Sequence, residues 1–368
     1  MNMRLTSSFV ALLSALLLTG CLDTNIVDEV SMVRAASFDL TEDNQIKLTA
    51  NFPTFPEDGA ENKLEDSLIS ATGETTKGAR IILSKRSQKP IVFGQLRVLL
   101  FSEQLAEQGI ETYIDAMYRD PSVGNRIFLA IAEGDDASAH LQPGESGELA
   151  GVYLPDLIEH NMDLSILPST NMHQFLFSLY NDGRDPHLPF LRQSEEGSTI
   201  WGTALFLGEK LHSKLDHDDS FILKVVKEPI RQATKQFEIL NGENANFVVI
   251  ENINSEAKRR VDKAGDRPKF HFNIKMDGAI DDYDGEENLE EGEIIDEIES
   301  SIEEQLANRA EELLIQFRDN GIDPVGIGET FRSTTRNWEP EKWKNEIYPT
   351  VEFNVTVQLD IIQSGAVE

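Results

Sequence analysis

Alternation of apolar and polar side chains is clearest in the last hundred residues. Apolar residues occupy every second position over 270–276 and again over 351–361. A period of two is typical of a strand with one face in the core and the other in solvent. Between these segments the apolar residues recur at steps of three and four, at Ile294, Ile298, Ile302, Leu306, Ala310, Leu313 and Phe317. This stripe predicts one long amphipathic helix over residues 293–318.

The same reading of the earlier chain predicts a mixture of short strands and helices. Two short helices are predicted over 102–108 and 111–118, where Gly109 separates them. Polar stretches containing Pro and Gly, at 54–74 and 181–198, predict loops. Strands are predicted at 46–52, 91–101, 127–132, 204–207, 221–226 and 247–250.

These elements predict an α+β fold with several domains. Two strands on either side of a long helix imply an antiparallel sheet with that helix packed across it. We therefore expect mostly antiparallel sheets flanked by helices, and a C-terminal sheet covered by the acidic helix 293–318. The predicted domains are an N-terminal domain over 21–198, a middle α+β domain over 199–269 and a C-terminal domain over 270–368.

The N-terminus predicts an exported, lipid-anchored protein. Residues 9–18 are apolar except for Ser14, and a helix of this length reaches about 15 Å, too short for a hydrocarbon core of about 30 Å. Such a run is typical of a signal peptide, here 1–20. Leu18-Thr19-Gly20-Cys21 resembles the lipobox of bacterial lipoproteins. We expect Cys21 to become an S-diacylglycerol, N-palmitoyl cysteine, the only group attached to the chain. The alternative is an ordinary signal peptide that happens to contain a cysteine.

Composition limits the partners of the mature body. Cys21 is the single cysteine, so disulfides and thiolate metal sites are excluded once it is acylated. The net charge is −32, and the leader contains Arg4 but no acid, so its removal leaves −33. We expect no nucleic-acid partner, because phosphate binding needs a basic surface. An anionic bilayer should repel an acidic body within a screening length of about 8 Å. The sequence thus indicates that lipid rather than protein surface provides the membrane attachment.

Motifs for catalysis or cofactor binding are weak in this sequence. Gly326-Ile327-Gly328 is an isolated G-x-G without the context of a dinucleotide site, and no G-x-S-x-G segment occurs. His212 and His217 are too widely spaced in sequence to suggest a strong metal site. Residues 281–285 resemble part of a calcium loop, but Ile280 would stand at its first ligand position. We therefore predict no enzyme activity, no bound metal and no cofactor.

Two segments are predicted to matter for structure or assembly. The turn with Asp323, Pro324, Gly326 and Gly328 would fix the chain after the long helix, its glycines providing positive φ or a close approach. A flexible loop with tolerant glycines is the alternative. Fourteen acids and no cation lie between Lys275 and Arg309. This charge run predicts either a solvated face or a surface for a basic partner. The candidate residues on that face are Glu297, Glu304 and Glu311.

Several segments, in order, resemble one family. The lipobox cysteine begins Cys21-Leu22-Asp23, residues 93–100 read FGQLRVLL, and residues 202–211 read GTALFLGEKL. Most specific is Asp323-Pro-Val-Gly-Ile-Gly328, followed by Trp338 and Trp343. The chain resembles the C subunit of spore germinant receptors, the Ger(x)C lipoproteins of endospore-forming bacteria. Departures from the usual family residues occur at Leu22, Gln95, Val325 and Ile327.

The resemblance implies a non-enzymatic lipoprotein on the outer leaflet of the spore inner membrane, with three α+β domains. It also implies assembly with a polytopic A subunit and a transporter-like B subunit, and a role in the response to small nutrient germinants. A solute-binding lipoprotein of an ABC transporter is the leading alternative, although its repeated βαβ lobes do not match the long alternating strands. A secreted hydrolase is the other alternative.

Overall fold

The computed structural model describes residues 29–54, 65–124, 126–142, 147–195, 197–241, 244–263, 267–285, 288–289 and 292–362. Cys21 and the predicted signal peptide lie outside these residues. The described chain contains two large sheets and a two-stranded parallel pair, β1 (Ser31–Met32) with β5 (Ile91–Val92). The predicted α+β class, with mostly antiparallel sheets flanked by helices, is confirmed.

The first sheet has eight strands in the order β10-β9-β8-β7-β6-β2-β3-β4. Its inner strands β8, β7, β6 and β2 run parallel, and its outer strands pair antiparallel. The strand bounds are β2 (Ala35–Leu40), β3 (Ile46–Thr54), β4 (Glu65–Gly73), β6 (Val98–Ser102), β7 (Phe128–Ala132), β8 (His187–Ser194), β9 (Gly197–Leu207) and β10 (Lys210–Leu215).

Helices cover both faces of this sheet and form a separate core on each. One face packs against α1 (Thr76–Arg86), α2 (Glu103–Gln108), α3 (Glu111–Tyr118) and α5 (Met172–Leu179). The other packs against α4 (Ala150–Asp163) and the 3₁₀ helix Ala137–Leu141. Inner strands are therefore buried on both faces, as their apolar runs require.

The second sheet has the order β11-β12-β13-β14 and packs against the two longer helices of the C-terminal half, α6 and α7. The predicted helix 293–318 is α7, and its apolar stripe is buried from Ile298 to Phe317, whereas Ile294 is half-buried. Short helices α8 and α9 follow it. The bounds in this half are α6 (His217–Lys227), β11 (Ile230–Asn241), β12 (Asn244–Asp262), β13 (Lys269–Tyr283), α7 (Gly292–Asp319), α8 (Ile327–Ser333), α9 (Pro340–Lys342) and β14 (Glu352–Ile361).

The predicted antiparallel arrangement of the two strands flanking α7 is wrong. β13 and β14 pair in parallel from Lys269↔Glu352 to Gly278↔Ile361. A helix that crosses the sheet returns the chain to the same end, so the strand after it runs parallel to the strand before it. The antiparallel pairs of this sheet are β11 with β12 and β12 with β13.

The strand predicted at 221–226 is also wrong, because these residues lie in α6. Every one of them is buried, so the apolar run has no period that separates helix from strand. The residues at the two ends of the segment distinguish a helix from a strand. The side chain of Asp216 accepts from the Asp219 N–H, and Lys224 and Lys227 lie in the last turn. The distinguishing signals are in the flanking polar residues.

Three further predictions need correction. The loop predicted over 54–74 contains β4, and the loop-rich stretch 181–198 contains β8. The single strand predicted over 91–101 is two strands, β5 and β6, because the chain turns where the Leu96 N–H donates to the Phe93 carbonyl (3.1 Å). Residue 198, after which a domain boundary is predicted, lies in β9, a strand that continues the first sheet to Leu207. The division into three domains stays a prediction.

Candidate functional site: a buried polar junction at Asp323

Asp323 organises the turn that follows α7. Its carboxylate accepts from the N–H groups of Gly326 (2.8 Å), Ile327 (2.9 Å) and Gly328 (2.8 Å). Ile327 begins α8, so the carboxylate binds N–H groups that have no partner within that helix. Gly326, with φ +79°, lies in the left-handed region that favours glycine. The turn brings these three donors onto one buried acid.

Gly328 is required for a different reason, a close approach of two chain segments. A Cβ atom at this position would lie 2.6 Å from Nε1 of Trp343 and 2.9 Å from Cα of Gly183. Gly183 precedes β8 of the first sheet, whereas Trp343 belongs to the core of the second. The absence of a side chain at Gly328 therefore allows the two halves of the molecule to pack here.

Backbone hydrogen bonds join the two halves at the same place. The Asp185 N–H donates to the Asp323 carbonyl (2.8 Å), and the Asp323 N–H donates to Oδ2 of Asp185 (2.7 Å). The Glu329 N–H donates to the Gly183 carbonyl (3.0 Å). We call residues 183–185 and 322–329, with the cations that contact them, the junction.

Three cations surround these acids. Lys227 donates to the Pro324 carbonyl, and Arg184 forms an ion pair with Glu329. Arg259 donates to the carbonyls of Val226 (2.6 Å) and Val325 (3.1 Å). Together they hold the C-terminal end of α6, β12 and the turn to one another.

Burial dominates the electrostatics of the junction. It raises the pKa of Asp323 to about 6 and raises the pKa of Asp185. It lowers the pKa of Lys227 to about 8 and that of Arg259 to about 10. Charge compensation between acids and cations, with hydrogen bonds to both, is what makes such burial tolerable. Because these groups bind one another, the arrangement is suited to holding two halves of a protein in a fixed orientation.

The candidate partner face is divided by the structure. Glu297 and Glu304 are exposed on α7, whereas Glu311 is half-buried and accepts from the Val355 N–H (3.3 Å). Glu311 belongs instead to a row of acids along β14, where Glu303 accepts from the Leu359 N–H (2.7 Å) and Glu299 from the Ile361 N–H (2.6 Å).

The row follows from the dimensions of helix and strand. Four residues of α7 rise about 6 Å, and two residues of β14 span about 6.6 Å. Acids four residues apart thus meet alternate N–H groups on the outer edge of the sheet. An open edge would present these donors to another chain. Three acids of α7 therefore accept hydrogen bonds from the edge strand β14 instead of only facing solvent.

We predict that the double variant Glu299→Ala/Glu303→Ala is less stable than the parent by about 2 kcal/mol, because two edge N–H groups lose their acceptors. The matched control is Glu297→Ala/Glu304→Ala, which removes the same charge from exposed positions and should change stability by about 0.5 kcal/mol or less. Urea unfolding followed by circular dichroism measures both. Equal losses in the two variants would mean that the hydrogen bonds to β14 contribute nothing.

The other chemical candidates of the sequence do not converge. Asp284 accepts from the Phe247 N–H (2.6 Å), and the ring of His217 contacts the Ile200 carbonyl (2.6 Å). Within the described ranges, no group of three or more His, Cys, Asp or Glu could hold a metal ion. A serine–histidine contact does occur, between Ser198 Oγ and His140 Nδ1 (2.8 Å), and both side chains are buried.

Sequence reasoning found Asp323 and its glycines but missed their partners. Asp185 is 138 residues away in the chain, and Lys227 and Arg259 lie on other elements. One signal was available, since Asp185-Pro186 and Asp323-Pro324 are both Asp-Pro turns preceding a structural element. Nothing in the sequence pairs the two turns.

Two family models together match almost the whole chain. Residues 23–193 match the spore germination protein N-terminal domain, and residues 201–365 match the spore germination B3/GerAC-like C-terminal domain. Spore germination protein GerQC of Bacillus cereus is 30% identical over 357 residues, which cover 97% of this chain and 98% of the relative. Spore germination protein B3 of Bacillus subtilis (strain 168) is 22% identical over 383 residues, covering 99% and 100%.

A solved structure has the same fold. The crystal structure of the GerBC protein matches with a TM-score of 0.57 at 16% identity, covering 89% of this chain and 96% of that one. In the described part of the present chain, no helix is both long and apolar enough to cross a membrane.

Proposed function

Because the chain belongs to the GerAC family of spore germination proteins, the C subunits of germinant receptors, we propose that it is a non-enzymatic lipoprotein subunit of a nutrient germinant receptor. It assembles with a polytopic A subunit and a transporter-like B subunit at the outer leaflet of the spore inner membrane. The observation that carries this proposal is the match of both family domains across residues 23–365.

The junction makes the subunit a rigid binding partner in this proposal. It fixes the first sheet to the second through backbone hydrogen bonds and compensated charges, so the subunit presents one defined surface to its partners. Co-purification from detergent-solubilised spore membranes tests the proposal: two polytopic partners support it. An ATPase-linked permease would contradict it and favour a solute-binding lipoprotein.

Attachment to the membrane is proposed to depend on Cys21. No other residue of the chain offers a thiol for diacylglycerol transfer, and two or more acyl chains hold a protein at a bilayer firmly. We predict that Cys21→Ala abolishes lipidation and that the variant moves to the aqueous phase in detergent phase partitioning. If this variant still enters the detergent phase with lipid attached, the assignment of the anchor is wrong.

The exposed part of the acidic helix is the second element of the proposal. Glu297 and Glu304 lie seven residues apart on α7 and have no ion pair among the described residues. Fixed negative charges attract a basic partner surface most strongly at low salt. We predict that Glu297→Gln/Glu304→Gln weakens co-purification with the membrane subunits and flattens its salt dependence, while the thermal unfolding midpoint is unchanged.

The control for this prediction is Glu107→Gln/Glu159→Gln, which removes two exposed glutamates from helices of the first sheet. It should assemble as the parent does. If the α7 variant also assembles with parental yield at every salt concentration, this face is only solvated.

A further inference from the structure

One long segment differs in charge from the rest of this acidic chain. Residues 75–102 contain six cations and no acid, although the whole chain has 65 acids against 33 cations. The segment spans α1 and β5, and its cations are Lys77, Arg80, Lys85, Arg86, Lys89 and Arg97. The average composition of the chain does not reveal this local excess of positive charge.

Two of these cations serve the fold. Arg80 pairs with Asp120 at 2.6 Å, and Arg97 pairs with Asp156 at 2.8 Å. These contacts tie α1 to the end of α3, and the start of β6 to α4. The charge of each of these arginines is therefore already paired with an acid of the same chain.

The remaining four cations are exposed within one short segment of the chain, residues 77–89. Lys77, Lys85, Arg86 and Lys89 are exposed, and none forms an ion pair with another described residue. Arg86 donates one N–H to the Ser70 carbonyl (2.7 Å), which leaves the charge unpaired. Ile81, 51% exposed, lies on the same helix. We call these five residues the basic surface.

The inner side of α1 explains why the helix presents this surface. Ala79 and Leu83 are fully buried in the core beneath the first sheet. Positions 77, 81 and 85 are four apart and therefore share one side of the helix, away from that core. Packing of Ala79 and Leu83 thus fixes the outward orientation of Lys77, Ile81 and Lys85.

The N-terminal strand joins the fold next to this surface. The Ser31 N–H donates to the Pro90 carbonyl (2.9 Å), and Ser31 pairs with Ile91. Lys89 is adjacent to Pro90 in the chain. Ser31 is ten positions after Cys21, a span of at most about 35 Å when fully extended. A lipid anchor at Cys21 therefore leaves the basic surface within reach of the bilayer.

We infer that the basic surface rests on anionic phospholipid headgroups and orients the subunit on the membrane. The inference rests on the proposed lipid anchor. A basic patch is one of the signals that reinforce a lipid anchor at an anionic membrane, and cations near that surface are attracted to it. Screening limits electrostatic forces to about 8 Å, so acids on distant surfaces do not cancel this local attraction. The inference departs from the expectation that lipid alone attaches this acidic body.

The test uses the chain from residue 21 with Cys21→Ala, which keeps every described residue and removes the contribution of lipid. Its sedimentation is measured with vesicles of phosphatidylglycerol and phosphatidylcholine and with vesicles of phosphatidylcholine alone. We expect binding to the anionic vesicles that weakens with salt. The triple variant Lys77→Gln/Lys85→Gln/Lys89→Gln should bind them roughly tenfold more weakly or worse, since each cation near an anionic surface contributes appreciably.

The matched control is Lys210→Gln/Lys258→Gln/Lys342→Gln, which makes the same change in net charge at exposed positions elsewhere. It should bind anionic vesicles as the parent does. Equal binding of the parent to both kinds of vesicle, or equal loss in both triple variants, would overturn the inference. So would a triple variant that binds vesicles normally but fails to co-purify with membrane subunits, since the basic surface would then contact protein. None of these vesicle results bears on receptor assembly, which co-purification tests separately.

Discussion

Asp323→Ala is expected to lower the free energy of unfolding by about 4 kcal/mol, the largest effect of any single substitution considered. Three buried N–H groups lose their acceptor, and each unsatisfied buried donor costs about 1–3 kcal/mol. The substitution also leaves the partly buried cations Lys227 and Arg259 with less compensating charge. The loss should exceed that of an average core truncation, because it affects both halves of the molecule.

Urea unfolding at pH 7.5 measures this effect in a range where Asp323, whose pKa is about 6, is ionised. The control is Asp182→Ala, which removes an exposed acid close to the junction. It should shift the free energy of unfolding by about 0.5 kcal/mol or less. A loss below about 1 kcal/mol for Asp323→Ala would show that the carboxylate does not organise the turn.

Gly328→Val is expected to destabilise the protein by about 3 kcal/mol, because the new Cβ would overlap the backbone of Gly183 and the ring of Trp343. Backbone cannot move aside as a flexible side chain can, so the two halves must separate slightly. Gly124→Val is the control, since a Cβ there meets nothing within 4 Å. Thermal unfolding of both variants tests the prediction, and equal midpoints would contradict a tight approach at Gly328.

The neighbouring Gly326 separates conformational strain from crowding. At Gly326 the nearest atom to a new Cβ is 3.5 Å away, so the expected cost arises from the positive φ alone. A left-handed conformation costs roughly 1–2 kcal/mol for an ordinary residue, and asparagine tolerates it better. Gly326→Asn should therefore be more stable than Gly326→Val. The same comparison at Gly328 should show no advantage for asparagine.

Secondary structure is predicted correctly where one face of an element is buried and the other is exposed to solvent. The stripe of α7 and the alternation in β13 and β14 are visible because burial repeats with the period of the element. The segment 221–226 is buried throughout, so its period disappears and α6 was predicted as a strand. The helix was still indicated by its caps.

Contacts between segments that are far apart in the chain cannot be predicted from a single sequence. The pairing of Asp185 with Asp323 depends on how two sheets pack, and neither residue is unusual in its own neighbourhood. The parallel pairing of β13 and β14 follows from the direction in which α7 crosses the sheet. That direction in turn places Glu311 on β14 rather than on the predicted partner face. Local sequence patterns predict the individual helices and strands. Long-range packing determines how these elements pair and which of their side chains are exposed.

Quantitative co-purification distinguishes a germinant receptor subunit from a lipoprotein with other partners. The chain would carry a C-terminal affinity tag, and spore membranes would be solubilised in a mild detergent. Spores that carry the tagged Cys21→Ala variant serve as the matched control for membrane delivery. We predict that the parent brings down two polytopic membrane proteins in fixed proportion, and that the control brings down much less of both. Recovery of an ATPase-linked permease, or of the parent chain alone at every detergent concentration, would contradict it.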